Sequence, residues 1–527
     1  MPQTSAVEPG LTSSAVRRSV SVRAWSVIAA LVVIGLALIN LTTFPRTWFD
    51  EGSHLHVPKT LVTRGVYADY SSEGYRYFGP SIGIGPTVML PVAAAFKLFG
   101  VGLLPARLVI VAYLFVAIVA CFALARSFGG VRLAWLAASI LVGSQAINLL
   151  ELGRQVLGEV PSLAFLALGW AAWLEAEAGA DARRLLLAGA LFGLSAITKN
   201  QAAILLIPML LVAWLANLVY YRRRLPQRYF LIPLVATVVA YAGWQAVVLA
   251  FLGPGTFAQN LEMFRQVTSG AALVFSPSLM VRSVSLLLSF DVFAGWIAPV
   301  LIYGLIIALR RTPDGQRWGH VMIFILGGLV WYVFASISWL RYAFLPLSLA
   351  ALVAAQLIDD LLTRFAPPLR QPRERSEWWA SLQRGESRAA IALAIAGAFA
   401  LMSVAPLGLT AAKIVNPPAP DPQRLAEYLN NEVPRDALIE TWEPELGFLT
   451  DHNYHFPPQS LLDVAVRHVW LDGPSPARQY DFDALAPDYV AVGEFAKYVH
   501  LYPPEQLAAD FRLLTTIGVY DVYIRIE

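Results

Sequence analysis

Two adjacent carboxylates, Asp50 and Glu51, stand only a few residues beyond the first apolar stretch, in Trp48-Phe49-Asp50-Glu51-Gly52. Such a pair at a membrane surface serves no packing purpose, and a positioned carboxylate can take or give a proton. If a helix starts near Asp50, residues four apart share a face, so His54 lies beside Asp50 while Glu51 points elsewhere. Capping that helix is the plainer use of Asp50. Lys199 and Arg341 stand at the ends of later apolar stretches, where an ionisable side chain is costly unless used or paired. Snorkelling to headgroups is their plainer use. Glu159, just before Pro161, either opens a helix or supports a site, and Arg154 has Glu151 as a structural partner within reach. His54 and His56 have the residue types of a metal site with Asp50 and Glu51. A His-x-His on a helix does not share one face, so no metal is expected. Glu443, Glu445, His452 and His455 are spaced loosely, which suits a structural or acceptor-contacting loop better than a zinc site.

The elements that must hold these residues follow from composition. Of 527 residues, 57% are hydrophobic and 14% charged, and mean hydropathy is +0.58; soluble chains carry about 25% charged residues. Too little charge remains to cover a soluble surface, so the bilayer is the expected solvent for most of the chain. A net charge of +3 points to no nucleic acid, and the single cysteine, Cys121, excludes an internal disulfide or a thiolate cluster. Apolar stretches of near-membrane length run over 25–41, 106–125, 133–149, 160–174, 185–197, 202–220, 230–252, 284–309, 321–339, 342–361 and 389–409. They predict an all-α polytopic membrane protein of about eleven transmembrane helices. The first stretch is long for a signal peptide and has no clear cleavage site after it, so it reads as a retained helix.

Basic residues set the orientation. With Arg17, Arg18 and Arg23 in the cytoplasm, alternating loops put twenty Lys and Arg inside and eleven in the outer loops, which favours this topology. Residues 1–23 are then a cytoplasmic tail and 24–410 a transmembrane domain whose first outer loop is 42–105. Residues 411–527 become a small extracytoplasmic α/β domain, with a helix over 425–430 and strands over 437–441, 489–492 and 519–526. In the first outer loop, the apolar run 86–99, bounded by Pro and Gly, fits a helix lying in the interface rather than crossing it. The Arg/Glu-rich stretch 364–388 reads as a cytoplasmic connector that meets anionic lipid.

The order of these landmarks resembles a known family. The Asp50-Glu51 pair follows the first helix, Gly74-Tyr75-Arg76-Tyr77-Phe78 supplies a Tyr-Phe step, and an interfacial helix ends in Leu98-Phe99-Gly100. Ala106-Arg107-Leu108 then opens the next span, Glu159 the fourth, and Ile197-Thr198-Lys199 and Arg341-Tyr342 through Pro346 come later. Together they resemble the GT-C membrane glycosyltransferases, of the protein O-mannosyltransferase and aminoarabinose transferase-like group. The chain departs from it at Gly79-Pro80-Ser81-Ile82, where the aminoarabinose branch often carries Glu-Lys-Pro-Pro, and in having Glu159 rather than Asp. The sugar therefore stays open.

The resemblance implies an inverting transfer of a sugar from a polyprenyl-phosphate donor to a protein, lipid or glycan acceptor at the extracytoplasmic face of a bacterial plasma membrane, without a cofactor. Asp50 is then the general base, and Glu51 or Glu159 orients base or acceptor. Lys199 and Arg341, with Arg76 and Arg107 as further candidates, meet the charge of the departing lipid phosphate. The rival is a transporter or lipid flippase. Such proteins place ionisable residues near the bilayer midplane and often show paired repeats; here the charges lie near one boundary and no repeat is visible.

Overall fold

The computed structural model describes residues 27–77, 83–365, 372–384 and 386–526. The basic tail at Arg17, Arg18 and Arg23, the start of the first stretch, and Phe78 with Gly79-Pro80-Ser81-Ile82 lie outside the described residues, as does part of 364–388.

Among the described residues each predicted apolar stretch falls mainly on helix, because a backbone in lipid must satisfy its own N–H and C=O groups. Among the described residues, six helices are long and apolar enough to cross a membrane by length and composition. The shorter apolar helices Val27–Leu38, Pro277–Leu287 and Ile297–Ala308 stand beside them. Leu103–Gly143 carries two predicted stretches and breaks between them at Gly129 and Gly130, the latter at φ +76°. Arg228–Ala271 breaks at Gly253, φ +72°, ahead of Pro254, so its second half is a separate rod. The stretch 284–309, predicted as one span, is two helices. Phe293, Ala294 and Gly295 all take positive φ between Pro277–Leu287 and Ile297–Ala308, and hydropathy does not register such a turn. Large apolar side chains such as Val219, Val239 and Ile302 stay exposed on the helices, as a lipid solvent allows.

The last hundred residues carry a five-stranded sheet in the order β4-β3-β5-β7-β6. Its strands are β3 (Leu438–Thr441), β4 (Asn453–His455), β5 (Tyr489–Val492), β6 (Phe511–Ile517) and β7 (Tyr520–Arg525). β3 pairs in parallel with β4 and β5, and β7 runs antiparallel to β5 and β6. Strands β3, β5 and β7 match the predicted ones, and the predicted helix is Asp421–Glu432. Leu425, Leu429, Ile439, Leu446 and Val522 fill one side of the sheet, and Trp442, Leu461, Val490 and Phe511 the other.

The first loop joins this unit to the helices. A hairpin of β1 (Asp69–Ser71) and β2 (Gly74–Arg76) follows the helix Phe49–Arg64. The Ser72 N–H donates to the Tyr454 carbonyl at 2.7 Å, beside β4. Lys59 Nζ donates to the carbonyls of Gly447, Phe448 and Thr450 at 2.9, 3.1 and 2.6 Å. Gly52 lies so close to Glu445 that a Cβ there would collide with its backbone. The helix Pro86–Phe99 opens on Pro86 and buries Val88, Met89, Val92 and Phe96 against Leu55, Val156 and Phe448. It leaves Leu98 and Phe99 about three-quarters exposed (75% and 78%), as a helix lying in the interface would.

Candidate functional site

Asp50 sits in the first turn of the helix Phe49–Arg64. The N-cap is Trp48, in extended backbone and without a side-chain cap bond, so Asp50 is not the cap. Its Oδ2 meets Arg341 Nη1 at 2.6 Å. Arg341 lies in the short turn Leu340–Ala343 that feeds the helix Phe344–Phe365. Its guanidinium stands 5.5 Å from the Trp48 ring centroid and 5.2 Å from that of Trp339, within cation–π range. The same side chain donates from Nε to Glu159 Oε1, which also pairs with Lys199 Nζ. Glu159 is the first residue of the helix Glu159–Glu175 and is 2% exposed. Lys199 sits in extended backbone between Ala182–Thr198 and Asn200–Val219. Four residues from four distant elements thus form one chain of charges, Asp50–Arg341–Glu159–Lys199.

Asp50, His54, Lys199 and Arg341 line a cavity of about 750 Å³. Trp48, Trp339 and Tyr342 line it as well, and the C-terminal unit adds Glu443, Glu445 and Tyr520. The cations can serve more than their present partners. Among the described residues, Lys199 uses one of its three donors and Arg341 two of its five. An anion entering the cavity would find preset donors that need no reorganisation.

The remaining sequence candidates are elsewhere. Arg107 and Glu51 are both fully buried and form a two-pronged pair at 2.9 and 2.6 Å. Arg107 also donates to the carbonyls of Leu41 and Pro45, each at 2.7 Å, and Glu51 accepts the Val156 N–H at 3.0 Å. Neither lines the cavity; they tie the first loop together because the start of the Phe49–Arg64 helix turns Glu51 away from Asp50. Arg76 bonds the Pro457 carbonyl and Gln459 Oε1, both at 3.2 Å, and belongs to the joint with the C-terminal unit. Arg154 does not pair with Glu151: it donates to the backbone carbonyls of Leu36, Ile39 and Phe44. His54 Nδ1 meets the Val156 carbonyl, whereas the His56 ring packs edge-on to Phe456, so the two histidines face apart.

The loose tail cluster divides. His455 pairs with Glu440, which also accepts from Tyr480 and Tyr502, both at 2.7 Å. Glu443 and Glu445 lie together on the cavity wall. Burial pushes the Glu443 carboxyl up to about 7. Burial, and then the neighbouring Glu443 charge, hold Glu445 well above the usual carboxylate range. The Glu443 charge bears on Glu445 within the same buried wall, so ionising both carboxyls together is disfavoured. A sequence signal for this pair existed only in its composition, since its burial depends on docking against Gly52. The Trp48–Arg341–Trp339 arrangement was missed because the three residues meet only in the fold.

Residues 85–253 match the family described as dolichyl-phosphate-mannose-protein mannosyltransferase. The chain has the fold of ArnT from Cupriavidus metallidurans bound to undecaprenyl phosphate, with a TM-score of 0.63 at 16% identity, covering 95% of this chain and 98% of that one. The archaeal oligosaccharyltransferase AglB from Archaeoglobus fulgidus, in complex with an inhibitory peptide and a dolichol-phosphate, aligns with a TM-score of 0.54 at 13% identity. That alignment covers 95% of this chain and 74% of that one. No curated protein matches by sequence. The resemblance to the GT-C glycosyltransferases is thus supported by a family model and by the fold, and the chain is an integral membrane protein.

Proposed function

We propose that this chain is a membrane glycosyltransferase that moves a sugar from a polyprenyl-phosphate donor to an acceptor, with inversion, at the extracytoplasmic face of a bacterial plasma membrane. The observation that carries the reading is the cavity in which a partly exposed carboxylate, Asp50, faces the cations Lys199 and Arg341. The lipid phosphates named with ArnT and AglB support a donor of this class. Asp50 takes the proton of the acceptor hydroxyl as it attacks the anomeric carbon. Lys199 and Arg341 meet the negative charge that gathers on the departing phosphate. Glu159 acts through them, holding both cations at the cavity wall. The acceptor is a protein, lipid or glycan, and no cofactor takes part. A flippase would also accept a lipid phosphate, but its charges would stand nearer the middle of the helices.

The test is purified protein with a panel of labelled polyprenyl-phosphate sugars, read by release of the lipid phosphate. Asp50→Asn should lower kcat by about 10²–10⁴-fold while leaving donor binding in place. Transfer by Asp50→Asn near the wild-type rate would remove Asp50 as the base.

A further inference from the structure

His54 is a titratable group of the cavity, beside Asp50, to which the proposed reaction gives no task. It stands one helical turn beyond Asp50, and both side chains reach the cavity. Its Nδ1 lies 2.9 Å from the Val156 carbonyl oxygen. A carbonyl only accepts, so Nδ1 carries the hydrogen and Nε2 keeps its lone pair. Among the described residues Nε2 has no protein hydrogen-bond partner, and the ring borders the open volume. Burial pushes the imidazole down to about 4, and Lys199 and Arg341 push the same way, against Asp50 and the Val156 bond. At neutral pH the ring is uncharged and Nε2 is a pure acceptor.

The same three charges indicate what meets it. On the function proposed above, on which this inference rests, Lys199 and Arg341 hold the donor phosphate and Asp50 receives the acceptor proton. The anomeric carbon lies between them, and the ring attached to that carbon passes His54. We infer that His54 is a substrate-binding residue whose Nε2 accepts a hydrogen bond from a hydroxyl of the sugar being transferred. The donor class is thereby narrowed to sugars that carry a free hydroxyl at that position, and a blocked or deoxy sugar is disfavoured. A purely structural His54 would serve only to hold the Val156 carbonyl.

Two variants separate the roles. His54→Asn keeps a side-chain N–H where Nδ1 stands and removes Nε2; His54→Gln places an amide at the Nε2 position. Initial rates are measured with the full-length protein, the polyprenyl-phosphate sugar that the wild type accepts, and the monodeoxy analogues of that sugar. His54→Asn should lower kcat/KM roughly tenfold, the worth of one hydrogen bond, and His54→Gln should recover part of it. One deoxy donor should lose about as much with the wild type and nothing further with His54→Asn. A wild type indifferent to every single deoxy substitution overturns the inference without any variant. So does a deoxy penalty that is the same in wild type and His54→Asn. A wild type that releases lipid phosphate from no donor in the panel overturns the proposed function itself, which is a different result.

Discussion

Arg341 answers to two carboxylates at once, and its shape is what lets it do so. The planar fork reaches Glu159 from one nitrogen and Asp50 from another while its faces meet Trp48 and Trp339. A lysine there keeps the charge but loses the bridge and the planar faces. Arg341→Lys should therefore cut transfer by roughly 10²-fold or more with a smaller fall in thermal midpoint than loss of a buried counter-ion gives, since the charge beside Glu159 is kept, both measured on the same detergent-purified sample. The pair Glu51–Arg107 predicts the reverse pattern. Glu51→Ala leaves a buried guanidinium without its counter-ion, at a cost of roughly 3–5 kcal/mol, so the thermal midpoint should fall sharply. An unaltered midpoint would mean that the pair does not hold the loop. Asp50, Lys199 and Arg341 were legible because an ionisable group at the end of an apolar stretch needs a reason to be there. Glu51 and Arg107 passed the same filter; helical spacing already turned Glu51 away from Asp50, but the buried pairing of Glu51 with Arg107 appears only in the fold.

At the scale of elements, the site depends on how closely the Phe49–Arg64 helix can approach the C-terminal unit. Gly52 permits that approach because it has no side chain to place between the helix and Glu445. Gly52→Val should force the two apart. The expected signs are a lower thermal midpoint, faster proteolysis within the C-terminal unit, and loss of transfer although Asp50, Lys199 and Arg341 are all intact. If proteolysis and midpoint stay at wild-type values, this contact does not set the docking. The same contact marks the limit of sequence reading. Hydropathy located helices well because the membrane imposes length and polarity. It missed the break at Phe293–Gly295, since a turn made of apolar residues does not lower the average. The strand β6 was missed for the opposite reason: its side chains are mostly exposed, so no alternation marked it.

For the molecule as a whole, the acid pair of the C-terminal unit makes its docking sensitive to proton concentration. Glu443 and Glu445 are buried where the two parts meet around the cavity, and burial raises both, Glu443 to about 7. A carboxyl whose folded value lies above its unfolded one binds more protons when folded. Its contribution to stability is full below about 4.5 and is lost as pH rises toward 7. Histidines pull the other way over part of this window. His54 and His56, lowered by burial to about 4 and about 3, favour the folded state as pH rises toward 6.5. The raw pH profile of the wild type is thus a sum of opposing slopes, and the informative quantity is a difference. Glu443→Gln removes one titrating acid and keeps a hydrogen-bonding side chain of the same shape. Its thermal midpoint, taken relative to the wild type, should climb between about pH 4.5 and pH 7 and level off above, because only the wild type gives up a proton at residue 443 over that range. A difference that is flat over this range would mean that Glu443 holds no proton there, and that the cavity wall opposite Lys199 and Arg341 is charged rather than neutral.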